Sequence, residues 1–150
     1  MKEKNNRACT LYESGLQFVD GFEIFFKKVS EYKLKMGIAT SSVRQTLNNA
    51  KDQLKLERFF GNHIYDIAKV NHRHKPDPAI YLLAAEKLGV DPKRCLALED
   101  SPCGVTSAQN AGMFCIGIDT AGAGEKIAHA DLVVQSYEEI NLPKILKERG

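Results

Sequence analysis

The run CLALED at residues 95–100 ends on two adjacent carboxylates, Glu99 and Asp100. Their like charges repel, so placing them side by side costs free energy unless something nearby compensates. Two further strand-like runs also end on polar residues: KMGIA is followed by Thr40 and Ser41, and CIGI by Asp119. Lys75 sits in the loop HRHKPDP, just ahead of a helix-like segment. A hydroxyl, an ammonium and a carboxylate pair around one point suit phosphoryl transfer. There a phosphate dianion is held by donors and a fixed cation, and Mg²⁺ on carboxylate oxygens neutralises the developing charge. Thr40 can give its hydroxyl and Ser41 its backbone N–H at a helix start. Lys75 provides a point charge. Asp100 suits direct Mg²⁺ binding, and Glu99 suits orienting the waters of that ion. A divalent ion would also offset the repulsion between the two acids.

Each residue also has a plainer reading. A Ser or Thr after a strand is commonly a helix cap, a Lys before Pro is commonly a solvated loop residue, and two acids at a strand end also suit an N-cap with a surface charge. Gly104, Ala108, Ala111 and Gly112 read as allowing close helix–sheet packing. AGAG at 121–124 is too short a signal for a phosphate cradle, and His72 with His74 too sparse for a metal site.

The elements that must position these residues alternate between helix-like and strand-like patterns, which predicts an α/β, doubly wound, mainly parallel sheet. Strands are expected at 35–40, 63–68, 94–100, 113–119 and 131–136. Helices are expected at 2–14, 22–32, from Ser41 or Ser42 onward, and at 77–90, 104–112 and 138–149. In such a sheet ligands sit outside the carboxyl ends of the strands, which is where Thr40, Glu99, Asp100 and Asp119 fall.

The 150 residues suffice for one domain, and 43% hydrophobic with 27% charged residues is an ordinary globular composition. A net charge of +2, with scattered basic residues, gives no footprint for nucleic acid. No apolar run approaches a membrane span, and MKEKNNRACTLYES lacks a signal core. Cys9, Cys95, Cys103 and Cys115 form no CxxC pair and read as reduced thiols, hence a cytoplasmic protein.

Taken in order, GIATSS, HKPDPAIYLLAAEKLGV and CLALEDSPCGVTSAQNAGM resemble the haloacid dehalogenase-like (HAD) hydrolase superfamily, in its β-phosphoglucomutase and phosphoglycolate phosphatase branch. The resemblance implies a Rossmann-like core acting on a small phosphorylated metabolite, a phosphate monoester, with Mg²⁺ as cofactor. It implies that Thr40 and Ser41 bind phosphate, that Lys75 pairs with the phosphate and the nucleophile, and that Asp100 is the inner metal ligand with Glu99 behind it. The family's nucleophile and acid/base lie in a DxDGT or DxDGV motif after the first strand. No DxD occurs in these 150 residues, so no nucleophile is assigned. His74 also stands where the family often has Gly.

By the same resemblance, residues 1–17 read as a remnant of the cap-domain helix and its linker, and residues 18–150 as the core. The family's first strand lies between those matched here by KMGIAT and CLALED. A sheet without it is expected to rearrange, to borrow a strand from a partner or homo-oligomer, or to await a missing N-terminal segment. Two further readings stand beside the hydrolase: a non-catalytic binding or interaction module of the same origin, and a receiver-like signalling domain. The second is disfavoured because receivers carry their paired acids near the first strand.

Overall fold

The computed structural model describes residues 9–12, 15–42, 44–120, 122 and 124–149. The described chain opens with a hairpin, β1 (Cys9–Tyr12) antiparallel to β2 (Gly15–Phe18). This corrects the helix expected over 2–14: residues 9–12 are extended, while 1–8 and 13–14 lie outside the described residues. The sequence CTLY carries β-favouring types, and its backbone pairs with GLQF across the hairpin. The domain boundary read at 17/18 falls inside β2.

From there the chain alternates as the periodicity suggests. Helix α1 (Phe22–Glu31) leads to β3 (Ile38–Thr40), α2 (Arg44–Leu54), the short α3 (Glu57–Phe60) and β4 (Ile64–Asp66). A 3₁₀ turn (Ile67–Val70) precedes α4 (Ala79–Leu88), β5 (Leu96–Glu99), α5 (Pro102–Asn110), β6 (Phe114–Ile118), β7 (Leu132–Val134) and α6 (Leu142–Arg149). Helix α4 starts where Asp77 Oδ1 accepts the Ala79 N–H at 2.8 Å, and it stops at Gly89, whose φ of +69° closes the helix in the left-handed region. Helix α5 starts behind Ser101, whose Oγ accepts the Gly104 N–H at 3.1 Å. Among the described residues no helix is long and apolar enough to cross a membrane.

Two parallel half-sheets result. β3 pairs with β4, Ile38 opposite Ile64 and Thr40 opposite Asp66, while β6 lies between β5 and β7. Among the described residues no strand joins β3 to β5. Helices cover both faces: Ile80 of α4 and Val105 and Ala108 of α5 pack with Ala97 and Cys115. On the opposite face Phe22 and Phe25 of α1 and Ile145 of α6 pack with Ile116 and Ile118.

The half-sheets are held together from the α1 side. The Phe22 ring stacks on Phe18 at 4.3 Å and meets Tyr137 at 5.9 Å, so one side chain touches the material packed on each half. Between the halves runs a cavity of about 1260 Å³, walled by β3, β5, α1 and α4. Burial marks it as well. Every residue of β4 is buried, whereas β3 is half-buried throughout and Leu96 and Leu98 of β5 are half-buried. Strands of a helix-covered parallel sheet are ordinarily buried on both faces, so this exposure follows from the gap.

Candidate functional site

Thr40, Ser41, Lys75, Glu99 and Asp100 all line the end of this cavity where β3 and β5 finish, whereas the other strand-end acid, Asp119, is not among its lining residues. The turn after β3 is closed by Thr40, whose Oγ1 accepts the Ser42 N–H at 3.0 Å. Thr40 thus takes the plain capping role and still lines the cavity. Ser41 Oγ accepts the Lys75 N–H at 3.3 Å, which ties the Lys75 loop to the end of β3 across 34 residues of sequence.

Side chains of α5 hold that loop from the other side. Ser107, fully buried, donates its hydroxyl to the Asp77 carbonyl at 2.7 Å, and Asn110 Nδ2 donates to the Pro76 carbonyl at 3.4 Å. The Lys75–Pro76 peptide is cis.

Lys75 spans the gap. Its Nζ donates to the Ala39 carbonyl of β3 at 3.1 Å and forms an ion pair with Glu99 Oε1 of β5. It also lies 4.7 Å from the centre of the Tyr81 ring, a cation–π contact. Tyr81 donates its hydroxyl to the same Glu99 oxygen. Burial, then the Glu99 charge beside it, holds the Tyr81 phenol well above its ordinary value, so Tyr81 stays a donor. With side chains 13% and 8% exposed, Lys75 and Glu99 form a desolvated pair, where losing one partner is costly.

Gly104 completes the arrangement. A Cβ there would overlap Glu99 Oε2 and Cδ and lie 2.7 Å from Oε1, so the glycine is the space the carboxylate occupies. The sequence reading assigned Gly104 to helix–sheet packing; it is a close approach of a different kind. Tyr81 was missed altogether, since its spacing is that of any core aromatic on α4.

The two acids at the strand end therefore differ. Glu99 is engaged by Lys75 and Tyr81, while Oδ2 of Asp100 is buried beside the cavity. Among the described residues no three His, Cys, Asp or Glu side chains form a metal-binding group. Mg²⁺ commonly takes only one or two carboxylates and keeps several waters, a requirement Asp100 can meet.

Comparison with known proteins adds a second line of information. Residues 2–118 match the sequence family described as haloacid dehalogenase-like hydrolase. Validoxylamine A 7'-phosphate phosphatase of Streptomyces hygroscopicus subsp. limoneus is 30% identical over 127 residues, covering 85% of this chain and 59% of that protein. β-Phosphoglucomutase of Bacillus subtilis is 40% identical over 74 residues, 49% of this chain and 31% of the mutase. The crystal structure of a HAD family hydrolase from Deinococcus radiodurans, with bound phosphate and sodium, superposes with a TM-score of 0.76 at 29% identity, over 90% of this chain and 61% of that one. The chain thus spans less than two thirds of each of these proteins.

Proposed function

Because the chain belongs to the haloacid dehalogenase-like hydrolase family, in its β-phosphoglucomutase and phosphatase-like branch, we propose that it is the phosphate-holding core of a phosphohydrolase or phosphomutase for small phosphate monoesters. The observation that carries this reading is Lys75: a largely buried ammonium tied to the ends of β3 and β5, with Thr40 and Ser41 beside it. A phosphoryl group placed there would meet the Lys75 charge, the Thr40 hydroxyl and the Ser41 N–H. Asp100 would hold Mg²⁺, which supplies charge neutralisation for the phosphoryl oxygens when bound.

Chemistry needs more than holding. Hydrolysis through an acyl-phosphate requires a carboxylate in line with phosphorus and an acid for the leaving oxygen. Among the described residues, the carboxylate on Lys75 is Glu99, and its Oε1 is already shared by the ammonium and the Tyr81 phenol. The 150 residues by themselves are therefore proposed to bind phosphate esters without turning them over, since binding without a nucleophile lowers no chemical barrier. The three described free cysteines, Cys95, Cys103 and Cys115, support a reducing, cytoplasmic setting.

Incubation of the chain with p-nitrophenyl phosphate and sugar phosphates, with and without Mg²⁺, tests this. The expected result is no release above background. Turnover that disappears in Asp100→Asn, and returns with Mg²⁺ after chelation, would show that another carboxylate acts as the nucleophile.

A further inference from the structure

Helix α5 is tied down on two sides. Val105 and Ala108, both fully buried, pack with Ala97 of β5 and Cys115 of β6. On the outside, Thr106 Oγ1 lies 3.0 Å from His129 Nε2, and Gln109 Nε2 donates to the His129 carbonyl at 2.7 Å. A third row of residues, Gly104, Ser107 and Asn110, runs along this helix at a spacing of three, where side chains are surface neighbours. Each member serves the Lys75–Glu99 pair or the loop that carries it. Gly104 makes room for the Glu99 carboxylate, Ser107 donates to the Asp77 carbonyl and Asn110 to the Pro76 carbonyl.

We propose that Ser107 and Asn110 are positioning residues for Lys75: without touching a phosphoryl group, they set how tightly the site holds one. A lysine ammonium is a point charge on a flexible four-carbon stem, so its placement depends on where the backbone starts that stem. The Lys75 N–H is fixed by Ser41 Oγ at 3.3 Å, and the Asp77 N–H by the His74 carbonyl at 3.0 Å. The peptide joining Asp77 to Pro78 has no N–H, so its carbonyl is the one polar group by which it can be held. Ser107 takes that carbonyl from a fully buried position at 2.7 Å. Asn110 adds a longer bond of 3.4 Å to the residue next to Lys75. One helix thereby fixes both ends of the ion pair, seating Glu99 at its first turn and anchoring the Lys75 loop one and two turns on. The role rests on the reading of this site as a phosphate holder.

The test titrates inorganic phosphate into the 150-residue chain and its variants by ³¹P NMR, under conditions where circular dichroism shows each to be folded. Ser107→Ala removes the hydroxyl and little volume, and should bind phosphate roughly three- to tenfold more weakly, the scale of one lost hydrogen bond. Asn110→Leu, at an exposed position, should weaken binding in the same direction by less. Exchange of the Lys75 amide should quicken in Ser107→Ala while the Ile116 amide of β6 keeps its parent rate, a local signature that general loosening would not give. Ile145→Val, which trims the core on the opposite face of the sheet, should lower stability and leave phosphate affinity at the parent value. Unchanged affinity in both α5 variants, or equal weakening in Ile145→Val, would overturn the positioning role. Should Ser107→Ala fail to fold, Asn110→Leu decides alone. Absence of phosphate binding by the parent chain would overturn the phosphate-holding reading and this role with it, a failure seen before any variant is compared.

Discussion

The substitution Gly104→Ala sets two effects of opposite sign against each other. Gly104 lies in the first turn of α5, where alanine should be better than glycine by about 1 kcal/mol on helix propensity. The new methyl group, however, would occupy the place of the Glu99 carboxylate, which Lys75 and Tyr81 hold from the other side. If the carboxylate is driven out, a buried pair is broken, at a cost of roughly 3–5 kcal/mol. Subtracting the propensity gain leaves a net loss of about 2–4 kcal/mol, or roughly 4–16 °C in melting temperature for a chain of this size.

Urea unfolding of Gly104→Ala, Glu99→Ala and the double variant reads the coupling. Where Glu99 is already alanine the clash is gone, so adding Gly104→Ala should become neutral or stabilising by up to about 1 kcal/mol. A Gly104→Ala protein as stable as the parent, or one that costs the same in both backgrounds, would refute the claim that Gly104 exists to seat Glu99.

Other consequences are open to simpler assays. Calorimetric titration with Mg²⁺ should give weak binding that Asp100→Asn abolishes and Glu99→Gln largely keeps; equal loss in both variants would overturn the division of roles. Burial, then the charge of Glu99, pushes the Cys115 thiol up to about 12, while Cys103 is exposed, so iodoacetamide at neutral pH should label Cys103 in the native protein and leave Cys115 untouched by mass spectrometry. Burial alone would raise the Asp66 carboxyl, but hydrogen bonds from Arg44 and the Ala68 N–H outweigh it and hold it below its ordinary value. Its folded value is thus depressed, so the stability it contributes is complete above the unfolded value of about 3.9 and is lost as pH falls through the folded one. Acid titration of unfolding should show a modest loss in that window, since Arg44 is well exposed, and Asp66→Asn should lack it.

Much of this was legible from residue order. The alternation of 2- and 3.6-residue periods located the helices and strands from α1 onward to within a few residues, apart from the short α3, because each longer element buries an apolar face. Helix α4 shows why: Pro78 near its first turn and Gly89 past its end mark it in the sequence, while the Asp77 cap appears only in the structure. The hairpin at 9–18 was misread because a short stretch with weak periodicity is decided by pairing, which sequence alone does not display. The convergence of Thr40, Ser41, Lys75, Glu99 and Asp100 was expected from strand ends, yet their mutual contacts were not. Nothing in one sequence distinguishes Tyr81, a hydrogen-bond donor to Glu99, from its apolar neighbours on α4. Gly104 did carry a signal, since glycine in a helix costs stability and so implies a close approach, but the approaching group could have been backbone or side chain.

The central claim, that Lys75 holds a phosphoryl group, is tested most directly by ³¹P NMR titration of inorganic phosphate. Lys75→Met alone would strand the buried Glu99, so the informative comparison is Glu99→Gln, which keeps the ammonium, against Lys75→Met combined with Glu99→Gln, which removes it without leaving a buried charge. The parent chain should bind phosphate saturably, with competition from a sugar phosphate; Glu99→Gln should bind at least as tightly, because Lys75 is released from its carboxylate; and the double variant should not bind. Phosphate binding by the double variant equal to that of the parent, or none by any of the three, would contradict the account.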